Sequence, residues 1–223
     1  MFGAIAGTYD LFNRLLSLGI DIYWRHVLAG AVRLGDTKRV LDLAAGTLDV
    51  SLAIRRNYPQ ATVPALDFCL PMLARGRRKL AGADERRVLP VTADAKHLPL
   101  PDASVDCITI AFGIRNILPR EDAFAEMLRV LRPGGRACIL EFGSGRERIW
   151  RGLYNFYLTR ILPRIGNLFS RDRTAYSYLA ETICAFPPAV LFEDEMRNAG
   201  FVHTWYRKLT SGIACLHVGE KPI

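Results

Sequence analysis

Residues Val105–Ala111 read Val-Asp-Cys-Ile-Thr-Ile-Ala, an apolar run too short for a stable helix and too continuous for a half-exposed strand. A run of this kind belongs in a parallel sheet covered by helices on both faces. Four further runs share its character: Arg39–Ala44, Thr62–Phe68, Val88–Ala93 and Arg136–Phe142. Between them lie helical patterns over Leu48–Arg56, Leu70–Leu80 and Glu121–Leu131, the last stopped by Arg132-Pro133-Gly134-Gly135. Strands alternating with helices predict an α/β, Rossmann-like fold with right-handed crossovers. Pro64 has no N–H to donate, which moves the second strand toward an edge or a bulge.

After Phe142 the rhythm changes. Residues 143–180 are helical in pattern, aromatic and basic, and Glu181–Gly200 is a second helical stretch. Phe201–Leu209 and Ile213–Glu220, joined by Thr210-Ser211-Gly212, predict an antiparallel hairpin that closes a seven-stranded sheet. The 223 residues fit one domain, 1–223, with N-terminal helices over 1–35 and a helical cap over 143–185 inserted before the last two strands.

Charge narrows the partners. Thirty Lys and Arg against 22 Asp and Glu leave +8, which attracts an anionic partner such as a nucleotide-like cofactor, an acidic lipid headgroup or nucleic acid. No run of eighteen apolar residues suggests a membrane span, and Met1–Tyr9 has no secretory or transit character. Five scattered cysteines, mostly inside apolar runs, read as buried small hydrophobes in a reducing cytoplasm. His26, His97, His203 and His217 have no ligand spacing, so no metal site is expected.

The chemistry concentrates where the first strand meets its helix, at Leu41-Asp42-Leu43-Ala44-Ala45-Gly46-Thr47-Leu48-Asp49. A glycine turn lets a ligand lie against bare backbone, and the helix start offers unpaired N–H groups. Asp67 ends the second strand and suits the two hydroxyls of a ribose; Asp94 ends the third and suits an adenine edge. Each acid alone is equally well an N-cap, but three at successive strand ends favour a ligand. The dinucleotide fingerprint Gly-x-Gly-x-x-Gly is absent, and an acid on the first strand repels a pyrophosphate. It suits S-adenosylmethionine, which carries a sulfonium and an ammonium and no phosphate.

The chain resembles the ubiquinone/menaquinone biosynthesis C-methyltransferases of the seven-stranded, class I S-adenosylmethionine-dependent type. Tyr9-Asp10, Asn13, Ser17, Gly19 and Trp24 are similar to that family's N-terminal signature, and Leu66-Asp67-Phe68 with Met72-Leu73 to its second cofactor motif. Asp94-Ala95, Leu98-Pro99, Pro101-Asp102 and Asp106 follow its third. Ala111-Phe112-Gly113-Ile114-Arg115-Asn116, Arg129–Gly135 with Leu140-Glu141-Phe142, and the tail from Leu162-Pro163 to Leu209–Ile213 extend the likeness over nearly the whole chain.

The resemblance implies methyl transfer from S-adenosylmethionine to a ring carbon of a polyprenylated benzoquinol or naphthoquinol. The cofactor set it implies is Asp42, Gly46, Thr47, Asp67, Phe68, Asp94, Ala95 and Ala111, with Thr47 near the methionine end. Arg115 and Asn116, after the fourth strand, are expected at the reacting ring: Arg115 to orient a water or stabilise a phenolate, Asn116 to bond a quinol oxygen. Arg115 equally reads as a surface arginine paired with Asp10 or Glu121. Tyr9 is expected to close the site.

Leu48 stands where the family has glycine, so its side chain is expected to crowd the methionine moiety and to resist positive φ. That departure motivates a second reading, a non-catalytic or altered-specificity homologue binding quinone intermediates or partner enzymes. Seven arginines over 146–173, with an apolar stripe from Trp150 to Ile161, suit a cap touching an anionic membrane face; packing on the domain itself explains the same pattern. Nucleic acid is not an expected partner, and a homodimer is left open.

Overall fold

The computed structural model describes Ser17 and residues 19–143 and 174–223. It forms one seven-stranded sheet in the order β3-β2-β1-β4-β5-β7-β6. The strands are β1 (Val40–Leu43), β2 (Val63–Asp67), β3 (Val88–Thr92), β4 (Val105–Ala111), β5 (Leu131–Phe142), β6 (Val202–Leu209) and β7 (Ala214–Glu220). The first five run parallel, and β7 pairs antiparallel with both β5 and β6. The helices are α1 (Ile20–Gly30), α2 (Asp49–Asn57), α3 (Leu70–Arg77), α4 (Asp84–Arg87), α5 (Arg120–Val130), α6 (Thr174–Ala185) and α7 (Ala189–Asn198). The expected cap thus lies within the described residues only at Gly143 and from Thr174 onward, and its arginine and aromatic stretch lies outside them.

Period-two alternation along the strands builds two cores. Val40, Ala65, Cys107 and Cys138 face one side and pack with Trp24 and Leu28 of α1 and Ile54 of α2. Leu41, Leu66, Ile108 and Ile139 face the other and pack with Phe124 and Met127 of α5 and Phe192 and Met196 of α7. Burying each such side chain contributes about 1.5–3 kcal/mol, which explains why these short runs cannot settle on a surface. Cys107, Cys138 and Cys215 are buried as expected; Cys184 is exposed and Cys69 half-buried.

Two backbone features depart from the sequence reading. β2 is an interior strand, between β3 and β1, so Pro64 marks no edge. Its missing N–H instead opens a gap in the β1–β2 ladder, between the Arg39–Thr62 bridge and the Asp42–Ala65 pair. The Pro133-Gly134-Gly135 segment is not a turn preceding β5 but an irregularity inside it. Leu131 pairs with Val105 and Arg136 with Cys107, so six residues of β5 span only three of β4.

Leu48 adopts the left-handed conformation that its side chain disfavours, with φ 66° and ψ 18°. It is fully buried in the α1/α2 core. Gly76 of α3 makes room for it: a Cβ there would lie 2.5 Å from Leu48 Cγ and 2.7 Å from the Thr47 carbonyl carbon. Gly76→Ala is therefore expected to lower stability in urea melts by roughly 1–3 kcal/mol through overpacking. Leu48→Gly relieves backbone strain of about 1–2 kcal/mol and loses a buried side chain costing about 2–5 kcal/mol, so a net loss is expected in the same melts.

Candidate active site

Chain order reverses between β1 and β4, the position where open α/β sheets leave a crevice beyond their carboxyl ends. A cavity of about 300 Å³ occupies it. Gly46, Asp67, Phe68, Asp94, Ala95, Ala111 and Asn116 all line it. These are seven of the sites expected from the sequence, brought together from the ends of four strands.

Asp67 organises the β1 and β2 loops. Its Oδ2 accepts the Gly46 N–H at 2.7 Å and its Oδ1 accepts the Cys69 N–H at 2.7 Å. Burial raises its pKa above the ordinary carboxylate value, against the pull of these two N–H groups. A carboxylate has about four acceptor positions, so lone pairs remain for a ligand diol. Asp94 accepts the Lys96 N–H at 2.9 Å, which turns the chain after β3 and presents the acid to the cavity. Phe68, 80% exposed, stands at the mouth. Met72 of α3 also lines the cavity, its Cε 3.7 Å from where a Gly46 Cβ would lie. An acid for a ribose diol, a second acid one strand further out, a bare glycine and apolar walls fit S-adenosylmethionine in size and chemistry.

Asp42 and Thr47 are not on this wall. Asp42 is fully buried on the α2 side of the sheet, because β1 places it on the same face as Val40. Its Oδ2 accepts the Ser51 hydroxyl at 2.6 Å and its Oδ1 the Thr109 hydroxyl at 3.0 Å. It thereby ties β1 to the first turn of α2 and to β4 beneath the glycine loop. Thr47, in the glycine loop, is buried as well. Leu48 is likewise absent from the cavity wall, its side chain turned into the core, so it does not crowd a ligand there.

Beyond β4 the chain makes a tight turn. Phe112 has φ 58°, and Gly113 follows so close to β1 that a Cβ would lie 2.5 Å from Ala44 Cβ. The turn continues as a 3-10 turn, Ile114–Asn116, which delivers Asn116 to the cavity. Tyr178 of α6 donates to Asn116 Oδ1 at 3.2 Å. Arg115 points away from the cavity. Its guanidinium is 5% exposed and bonds Glu141 at 2.7 Å and the Phe112 carbonyl at 2.6 Å. Among the described residues its acidic partner is Glu141 rather than Glu121, and it is not on the cavity wall; Asp10 lies outside the described residues. Tyr9 lies outside the described residues. The partner of Arg115, Glu141, was not foreseen; its signal was an acid near the end of an otherwise apolar strand.

Burial pushes the Asp42 carboxyl up to about 6, against the Ser51 and Thr109 bonds that favour the ionised form. The folded chain therefore holds this proton more tightly than the unfolded chain. The stability it contributes is complete below the ordinary aspartate value of 3.8 and is lost as pH rises to about 6. Asp42→Asn should flatten that loss, worth up to about 3 kcal/mol, when urea midpoints are compared at pH 4.5 and 7.

The family profile described as the ubiE/COQ5 methyltransferase family matches residues 1–221. The ubiquinone/menaquinone biosynthesis C-methyltransferase of Geobacter sulfurreducens is 45% identical over 223 residues, covering 99% of this chain and 87% of its own. The demethylmenaquinone methyltransferase of Thermus thermophilus is 44% identical over 222 residues, covering 100% of both. A solved S-adenosylmethionine-dependent methyltransferase of Thermotoga maritima shares the fold, with a TM-score of 0.70 at 16% identity over 99% of this chain and 97% of that one. With its class I sheet, its glycine loop and its acids at the strand ends, this chain belongs to the ubiE/COQ5 methyltransferase family.

Proposed function

We propose that the chain is an S-adenosylmethionine-dependent C-methyltransferase of quinone biosynthesis, acting on a ring carbon of a polyprenylated quinol. The observation that carries this reading is the family match over 1–221, joined to a strand-end cavity whose acids and glycine suit that cofactor. The naphthoquinol of the demethylmenaquinone type is the substrate class common to the names of both relatives.

S-adenosylmethionine supplies, when bound, a methyl group already activated on a sulfonium. Asp67 holds the ribose end through its remaining lone pairs and Asp94 the adenine end. Gly46 lets the ligand approach the backbone, and Asp42 braces the loop from below. Ring carbon becomes a usable nucleophile once the neighbouring phenol gives its proton to water, and the ring carbon gives up its own proton to water after it has gained the methyl, so the chain must stabilise a phenolate. Asn116 is placed for that: its Oδ1 is taken by Tyr178, which leaves its N–H groups to donate to a quinol oxygen. Arg115 supports the turn rather than the substrate. The removal of Leu48 from the cavity wall takes away the ground for a non-catalytic homologue.

We further propose that residues 1–223 form one domain. Among the described residues no helix is long and apolar enough to cross a membrane. We place the protein in the cytoplasm, peripheral at the anionic inner membrane face from which a lipid quinol is drawn, a partner that the net charge of +8 suits.

Purified protein given labelled S-adenosylmethionine and a short-chain demethylmenaquinol should yield the methylated quinol by mass. A chain that binds the cofactor and methylates neither this quinol nor a benzoquinol overturns the reading. Asp67→Ala should weaken S-adenosylhomocysteine by roughly 10–100-fold in calorimetry, the value of one or two charge-assisted hydrogen bonds. Asn116→Ala should lower kcat by roughly 10²-fold with that affinity unchanged.

A further inference from the structure

We propose that Glu141 is a positioning residue for the quinol half of the site, acting through Arg115; this rests on the methyltransfer reading above. Glu141 lies near the end of β5 and is 0% exposed. Its Oε1 accepts Arg115 Nη1 at 2.7 Å and the Phe142 N–H at 2.9 Å, and its Oε2 accepts the Arg115 N–H at 3.4 Å. Arg115 Nη1 passes the connection on to the Phe112 carbonyl at 2.6 Å. The guanidinium also lies over the Phe142 ring, 5.4 Å from its centre, and that ring packs on Phe112 at 4.4 Å.

The contacts of the pair have a direction. They all end on the turn from Phe112 to Asn116 and on Phe142, and none reaches Gly46, Asp67 or Asp94. The turn needs holding. Phe112 keeps a positive φ that costs a non-glycine residue about 1–2 kcal/mol, and Gly113 is pressed against Ala44. Stability alone does not explain a pair of buried charges, because apolar residues of similar volume usually serve the fold as well or better. Arg115 Nε is buried and has no hydrogen-bond partner among the described residues, so the cation depends on Glu141 and one carbonyl. A carboxylate at position 141 therefore sets where the Phe112 carbonyl, and with it Asn116, stands relative to the cavity.

The test compares wild type, Glu141→Gln and the double variant Arg115→Met with Glu141→Leu. The double variant removes both charges, which guards against a fold lost to one stranded ion. Circular dichroism checks folding, calorimetry reads S-adenosylhomocysteine affinity, and steady-state kinetics with the demethylmenaquinol analogue separate kcat from the two KM values. Both variants are expected to fold and to keep the affinity within about twofold, while kcat/KM for the quinol falls roughly 10²-fold, the effect of displacing a positioned group by about 1 Å. Recovery of turnover in the double variant shows the pair to be structural and overturns the inference. So does a loss of cofactor affinity equal to the loss of turnover, and so does a fully active Glu141→Gln. A wild-type chain that methylates no quinol fails earlier, and takes the function down with the inference.

Discussion

The carboxylate of Asp67 is the interaction around which the site is built. It accepts one N–H from the loop after β1 and one from the loop after β2, and so fixes the separation of the two strand ends at the cavity. The floor of the cavity follows from that separation. Beneath it, Asp42 performs the same service from inside the sheet, joining α2 and β4 through two hydroxyls. One acid lines the cavity and the other faces the core. Asp42 pairs with Ala65, two residues before Asp67, so the two acids share a sheet face and differ in how far each stands from the open end of the sheet.

Buried charge is used differently on the two sides of the crevice. On the β1–β2–β3 side the acids have backbone N–H groups and hydroxyls for partners, and no cation is buried with them. Beyond β4, Arg115 and Glu141 form a closed ion pair behind the turn that carries Asn116. The cavity therefore carries acids on its β1–β2–β3 side and, beyond β4, the neutral amide of Asn116 held by Tyr178.

Much of this was legible in advance. The span of β4, Val105–Ala111, is the apolar run as read, because a strand buried on both faces leaves a continuous signature. The acids and the glycine at the strand ends were found for the same reason: polar residues that follow an apolar run stand out. Asp42 and Arg115 lie off the cavity wall for a common cause. Residue type announces chemistry but not depth or direction, and a place two residues inside the strand end or a single tight turn sends the same side chain into the core. Leu48 misled because its neighbours in sequence, not its packing partner Gly76 on another helix, were all that could be read.

By itself the sequence determined the class of fold, the strands and the acids that mark a cofactor cleft, since hydrophobic period and turn chemistry are local properties. Only the tertiary structure decided which acid lines the cavity, that Pro64 interrupts an interior strand, that Leu48 turns away from the cavity, and that Arg115 pairs with Glu141. Each of these depends on a partner distant in the chain, and contacts of that kind are settled by packing rather than by the order of residues.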